Sequence, residues 1–183
     1  MVEFALCAPV VFGLLFGIVG GSLFMYSRNV VARAENVAVI TEAAEGVSKD
    51  VDLDSLAAIR ATGLGPQSLT RVDSILIEGF KVDGTPMTGC KDATGTLATL
   101  SDGSSCYDRY AVDGSPMWQT TTATCSDTVY HCPPFPPSAR SVKASSVTSI
   151  KLTIAYHFTL VGVAGPAVNF SSVQFFRLEP KDL

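Results

Sequence analysis

The chain has 183 residues and a formal net charge of −4, from 13 Lys and Arg against 17 Asp and Glu. This balance argues against a protein that binds nucleic acid electrostatically, because such a protein needs a basic surface. Charged residues make up 16% of the chain, against about 25% in an average soluble domain, and the mean hydropathy is +0.32. The composition therefore favours a chain that associates with a membrane or with copies of itself.

The apolar excess lies at the N-terminus, where Phe4–Tyr26 forms a run of 23 residues without a charge. A helix of about 20 such residues crosses a lipid bilayer. A cleaved secretory signal peptide is an alternative, but it begins with a basic region, whereas Glu3 precedes this run. The run contains Pro9 and three glycines spaced for close helix packing, at Gly13, Gly17 and Gly21. Residues 1–26 are therefore predicted to form a helix that lies in a membrane or in the core of a filament.

The helical pattern continues beyond the apolar run. Apolar side chains recur every three or four residues and predict one stripe on an amphipathic helix, formed by Val30, Ala34, Val37, Ile40, Ala44 and Val47. Glu35 and Glu42 face away from this stripe. The pattern predicts one long helix over about residues 2–48, of which 27–48 is the amphipathic part. Its stripe must be buried either on a globular head or on sister helices.

The remaining residues, 49–183, predict an α+β head. A short second helix is expected at Asp54–Arg60. Apolar and polar residues alternate in the segments that predict strands, namely Arg71–Phe80, Val147–Leu160 and Val168–Leu178. The last two are expected to pair antiparallel. The predicted fold is thus a long hydrophobic helix packed on a small antiparallel sheet.

A turn-rich insert occupies about residues 81–140. Within it, Val82–Met87 recurs 30 residues later as Val112–Met117. Both copies contain Asp-Gly, which favours tight turns because glycine accepts positive φ. Two similar turns that arose independently are the simpler interpretation of this recurrence.

Four of the five cysteines lie in the turn-rich insert: Cys90, Cys106, Cys125 and Cys132. An even number in a loop-rich head favours two disulfides and an oxidising compartment. Three pairings are possible, and Cys90–Cys106 with Cys125–Cys132 is preferred because it closes short local loops. A zinc site formed by Cys125, His131 and Cys132 is the alternative, although adjacent ligands strain to share one ion. The fifth cysteine, Cys7, lies in the apolar helix.

Motifs for catalysis or cofactor binding are not found. Asp50–Asp54 begins like a calcium-binding loop, but Ser55 and Ala61 stand where that loop needs Gly and Glu. The segment is interpreted as a solvated acidic turn. We therefore expect no enzymatic activity, no cofactor and no metal.

The opening Glu3–Pro9, with its Leu-, Val- and Gly-rich continuation, resembles the start of TadE-like pseudopilins of the tight-adherence (type IVc) pilus, within the type IV pilin-like superfamily. Ile150–Phe158 and Val173–Pro180 resemble the last two strands of that family. The resemblance covers about residues 1–48 and 145–180. It implies a lollipop-shaped α+β fold and a structural subunit of an extracellular filament.

The resemblance also implies partners and a location. The subunit would lie in the inner (cytoplasmic) membrane before assembly, and then at the cell surface as a homo-oligomer in a helical filament. Other pilins, a prepilin peptidase and the assembly machinery are further expected partners. The residues expected to act in assembly are Glu3, Phe4, Pro9, Gly17 and Gly21. In the family, glutamate is the fifth mature residue, whereas here it is the third, so two mature residues precede this sequence or processing differs.

Two other functions remain open from the sequence. The chain could be a minor pilin or pseudopilin that primes or tips a filament made of another subunit. It could also be a single-pass membrane protein with an extracytoplasmic binding head.

Overall fold

The computed structural model describes residues 2–64, 70–90, 99–118, 133–141, 148–158 and 168–178, with side chains from Cys7 onward. The first helix, α1, runs over Val2–Glu45, which is about 66 Å at 1.5 Å per residue. It ends at Gly46, whose φ of 65° is the left-handed conformation that commonly terminates helices. A second helix, α2, follows at Val51–Ala61. Both predicted helices are confirmed, with small differences at their ends.

Four strands form one antiparallel sheet: β1 at Thr70–Phe80, β2 at Tyr107–Tyr110, β3 at Ser149–Phe158 and β4 at Val168–Arg177. Their order in the sheet is β2-β1-β3-β4. The pairing of β3 with β4 runs without interruption between Ser149↔Arg177 and Phe158↔Val168. The three predicted strands and the predicted pairing are therefore confirmed. The four residues of β2 are too few to give a recognisable alternation.

The hydrophobic core lies between one face of the sheet and the two helices. Alternate residues of β3 are buried there, at Ile150, Leu152, Ile154 and Tyr156. They belong to the same cluster as Val31, Ala34 and Ala38 of α1 and Leu56 and Ile59 of α2. Burial of this apolar surface is what holds the second half of α1 to the head. The predicted α+β fold, a long helix on a small antiparallel sheet, is confirmed.

The face of α1 that packs on the head is not the predicted apolar stripe. Of that stripe, Ala34 alone is fully buried, Val30 and Val37 are half-buried, and Ile40, Ala44 and Val47 are exposed. The residues of α1 that are buried are Ser27, Val31, Ala34, Glu35, Ala38 and Glu42. Glu35 and Glu42 lie on the packed face, where they find polar partners on the head. The head therefore covers only part of the stripe, and burial of the rest on sister helices stays a prediction.

The recurring Val-Asp-Gly segments form the same turn twice, once after β1 and once after β2. In the first, Asp83 Oδ1 accepts hydrogen bonds from the Thr85 N–H and hydroxyl at 2.9 and 2.6 Å. In the second, Asp113 Oδ1 accepts the same two bonds from Ser115 at the same distances. Each turn closes on its own strand through a proline, by the bridges Phe80↔Pro86 and Tyr110↔Pro116. The sequence recurrence is thus a structural repeat.

A disulfide joins Cys90 to Cys106, as predicted. The carbonyl of Cys106 also accepts the N–H of Gly79 in β1 at 2.9 Å. The bridge therefore fixes the start of β2 and the end of the first turn beside β1. Cys125, His131 and Cys132 lie outside the described residues, so the second disulfide and the alternative zinc site stay predictions.

Candidate functional site in the long helix and its junction with the head

The first half of α1 projects from the head with its apolar side chains uncovered. The following are all more than half exposed: Val10, Val11, Phe12, Leu14, Leu15, Phe16, Ile18, Val19, Met25 and Tyr26. Within the described part of the chain, α1 is the helix long and apolar enough to cross a membrane. A contiguous apolar surface of this size requires lipid or other protein chains to cover it.

Contacts within the described part of the chain do not explain the glycines of this segment. A Cβ added at Gly13, Gly17 or Gly21 would meet nothing within 4 Å. Small residues four apart allow a second helix to approach closely, so these positions are free to meet another chain. Pro9 lies inside the uninterrupted α1. Glu3 and Phe4 lie in its first turns, and their side chains are outside the described part of the structure.

Aromatic rings attach the head to α1 at the point where the apolar run ends. Phe24 lies 5.2 Å from Phe170 and 6.4 Å from Phe158 between ring centroids. Tyr156 stacks on Phe170 at 5.6 Å. One turn after Phe24, the hydroxyl of Ser27 hydrogen-bonds to the hydroxyl of Thr70 at the start of β1. This end of the sheet therefore lies level with the last turn of the apolar segment.

Polar contacts continue the junction along α1. Ser172 of β4 donates a hydrogen bond to Glu35 Oε2 at 2.6 Å, and Gln174 donates to Asn36 at 3.2 Å. Burial raises the pKa of Glu35, and the bond from Ser172 opposes this shift. Glu35 Oε1 is buried and has no hydrogen-bond partner among the described residues, which makes the ionised form still less favourable.

A buried ionic cluster connects the C-terminal end of α1 to the head. Arg140 contacts Glu42 at 2.8 Å and Asp52 at 2.6 Å, and it lies 3.9 Å from Asp108. The side chains of Arg140, Glu42 and Asp108 are fully buried, and that of Asp52 is 5% exposed. The cluster thereby joins α1, α2, β2 and the segment 133–141. It corrects the interpretation of Asp50–Asp54 as a solvated turn, because Asp52 faces inward from α2.

Neutral partners complete the hydrogen bonding of the cluster. Ser55 donates to Glu42 Oε1 at 2.8 Å, Tyr110 donates to Asp52 Oδ2 at 3.2 Å, and the N–H of Phe135 donates to Asp108 Oδ1 at 2.9 Å. These bonds stabilise carboxylates that would otherwise be costly to bury.

Phe135 is the residue that positions Arg140. Its ring lies 5.0 Å from the Arg140 guanidinium and packs on the backbone of Gly79, where an added Cβ would be 2.5 Å from the ring. The turn at Pro137–Ala139 then directs the chain to Arg140. A glycine at the next-to-last position of β1 is thus needed to admit Phe135 and, through it, the cation of the cluster.

The cluster contains three acidic side chains and only one cation. Its carboxyl groups therefore keep their protons at pH values above the usual range for carboxyl groups. Burial, and then the neighbouring Asp52, raise the pKa of Glu42 to about 8, although Arg140 and Ser55 oppose the shift. Burial raises the pKa of Asp108 well above its ordinary value, with Asp52 adding to the effect. Both acids are therefore protonated more readily in the folded head than in the unfolded chain.

This difference predicts a pH-dependent stability. A carboxyl whose folded pKa is raised stabilises the fold fully below its unfolded pKa of 4.5 and loses that contribution as pH rises through about 8. We expect the free energy of unfolding to fall by about 1–3 kcal/mol between pH 5 and pH 9. Urea unfolding of the full chain in detergent, followed by fluorescence of Trp118, measures it.

The matched variant is Glu42→Gln, which removes the titrating group at the centre of the cluster. It should flatten part of the pH dependence, because Asp108, Glu35 and Glu78 also have raised pKa values and remain. An unchanged slope in this variant would show that Glu42 titrates normally.

Comparison with known proteins identifies the N-terminal segment. The family model described as TadE-like protein matches residues 1–38, as the opening residues predicted. Neither the curated proteins nor the solved structures give a match to the chain. The match covers the first 38 residues and shows that the apolar helix is similar to the start of TadE-like proteins, which supports a membrane protein associated with a pilus.

Proposed function

We propose that this protein, whose N-terminal helix is TadE-like, is a structural subunit of an extracellular pilus-like filament. The subunit is held in the cytoplasmic membrane by residues 1–26, and these residues then pack against sister helices in the filament. The observation that carries this proposal is the projecting half of α1, whose apolar side chains are not covered by the parts of the head that the structure describes. Burial against other helices replaces the lipid that the segment loses on extraction.

The exposed part of the amphipathic stripe supports the same role. Ile40 of α1 is 66% exposed, and Val47, just beyond the end of α1, is 38% exposed. Sister helices packed along the whole of α1 would cover both, while residues 49–183 form the outer surface of the filament.

Glu3 is proposed to set the register between subunits. A charged side chain at the centre of a membrane helix costs about 2.5–3.5 kcal/mol, and less near an end. The cation proposed to meet Glu3 is the α-amino group of the mature subunit, its own or an adjacent one, because Arg28 is about 38 Å further along the helix. An opposite charge within about 4–6 Å favours the ionised carboxylate. Pairing with the amino group would therefore offset the cost of burying Glu3 in the filament.

The experiment is to replace Glu3 by glutamine in the organism that makes the filament. We expect Glu3→Gln to insert into the membrane normally and to enter filaments poorly, because the amide keeps the shape but not the charge. Glu3→Asp, which keeps the charge, is the control and should retain more assembly. Equal filament yield from wild type and Glu3→Gln, at equal membrane abundance, would show that Glu3 is only an interfacial charge.

A further inference from the structure

A cleft of about 550 Å³ opens between α1 and the last two strands, beside the aromatic junction. It is lined by Phe24, Met25, Arg28, Asn29 and Ala32 of α1, by Tyr156 of β3, and by Phe170, Ser171 and Ser172 of β4. One part of its wall is thus aromatic and apolar, and another part carries a guanidinium, an amide and hydroxyls. This division matches a ligand that has an apolar body and a polar head.

Arg28 is the cation of this cleft, and its charge partly opposes the rise that burial causes in the pKa of Tyr156 across the cleft. It is exposed, and it forms no ion pair or hydrogen bond within the described residues. It is also the first Lys or Arg in the sequence, and it follows the uncharged run that ends at Tyr26 by about 3 Å along the helix axis. In a membrane-inserted subunit, Arg28 therefore lies at the level of the lipid head groups, where a basic side chain attracts phosphate.

We propose that this cleft binds one membrane phospholipid. Its phosphate contacts Arg28, with Asn29 and Ser171 as further donors, and the start of an acyl chain lies against Phe24, Met25 and Phe170. The apolar wall is the reason for choosing a lipid over a free phosphate ion, since a free ion would leave that wall in water.

The remaining charged group near the cleft is compatible with an anionic head group. Glu35 lies behind Ser172, is 2% exposed, and is held by the bond from the Ser172 hydroxyl. Because burial raises its pKa, it opposes a phosphate less than an ordinary carboxylate would. The proposal depends on membrane placement of α1 and not on filament formation, so it can fail while the filament role holds.

The test uses the full chain in detergent with added phosphatidylglycerol, and native mass spectrometry counts the lipids retained per chain. We expect one retained lipid in the wild type and about fivefold weaker retention in Arg28→Gln. Arg33→Gln is the matched control, because Arg33 is an exposed arginine of the same helix that does not line the cleft, and it should behave as the wild type. Ala32→Leu, which fills the cleft and leaves Arg28 in place, should also lose the lipid.

Arg28→Lys checks that charge at this position is what matters, and it should keep retention within about twofold of the wild type. Equal losses in Arg28→Gln and Arg33→Gln would overturn the proposal, because they would show a general surface charge effect. Full retention in both Arg28→Gln and Ala32→Leu would overturn it as well. Displacement of the lipid by inorganic phosphate would reject the lipid site in favour of a site for free anions.

Discussion

Replacing Arg140 by glutamine is expected to destabilise the head by about 3–5 kcal/mol at neutral pH. The substitution removes the cation that contacts Glu42 and Asp52 and leaves three buried acids without a partner charge. The loss should be larger at pH 9 than at pH 5, because Glu42, whose pKa is about 8, loses its proton between these pH values and then lacks the partner cation. Urea unfolding of the full chain, followed by Trp118 fluorescence, reports on the cluster directly, since Trp118 packs edge-on against Tyr110 at 4.9 Å.

The control for this variant is Arg60→Gln. Arg60 is exposed, and its guanidinium donates to the carbonyl of Asp113 at 3.1 Å, so its loss should change the unfolding free energy by no more than about 0.5 kcal/mol. Asp52→Asn in the Arg140→Gln background should restore part of the stability, because it removes one of the unpaired charges. Similar destabilisation by Arg140→Gln and Arg60→Gln would contradict the role of the cluster.

Replacing Gly17 by leucine is expected to reduce the number of filaments at least about tenfold, which corresponds to about 1.4 kcal/mol lost in subunit association. A side chain at Gly17 meets nothing among the residues of its own chain that the structure describes, so the subunit should fold as before. Leucine also favours membrane insertion, so the membrane pool of subunit should not fall. The added bulk acts only where a second helix packs against this face.

The matched control is Val19→Leu, which enlarges a side chain that is 54% exposed on the same segment. It should assemble nearly as well as the wild type, because no close approach is required at a position that already carries a branched side chain. Filament counts by microscopy at equal membrane abundance compare the two variants. Normal assembly of Gly17→Leu would mean that the glycines do not form a helix contact.

Local pattern was sufficient to predict most of the fold. The uncharged run and the 3.6-residue periodicity predicted α1, and the alternation of Ile150, Leu152 and Ile154 with polar residues predicted β3. The pairing Cys90–Cys106 followed from the short loop that it closes. These features depend on neighbours close in sequence, which is why a single sequence reveals them.

The orientation of α1 and the ionic cluster depend on contacts between residues far apart in the chain. Glu42 and Arg140 are 98 positions apart in the sequence, and Asp52 and Arg140 are 88 positions apart. No spacing rule therefore connects these residues. A glutamate on a helix is ordinarily solvent-exposed, so the pattern did not indicate that Glu35 and Glu42 are buried against the head. Gly79 within the β1 pattern was a usable signal, since an interior glycine in a strand often marks a close approach.

Negative-stain microscopy of purified native filaments, with mass spectrometry of their protein content, tests the central proposal most directly. The proposal predicts abundant filaments in which this chain is the principal protein. Filaments built from another subunit, with this chain rare or at one end, would instead identify a minor pilin. A third result would contradict a role as a filament subunit: this chain is found only in the membrane fraction, and the cells make filaments that lack it.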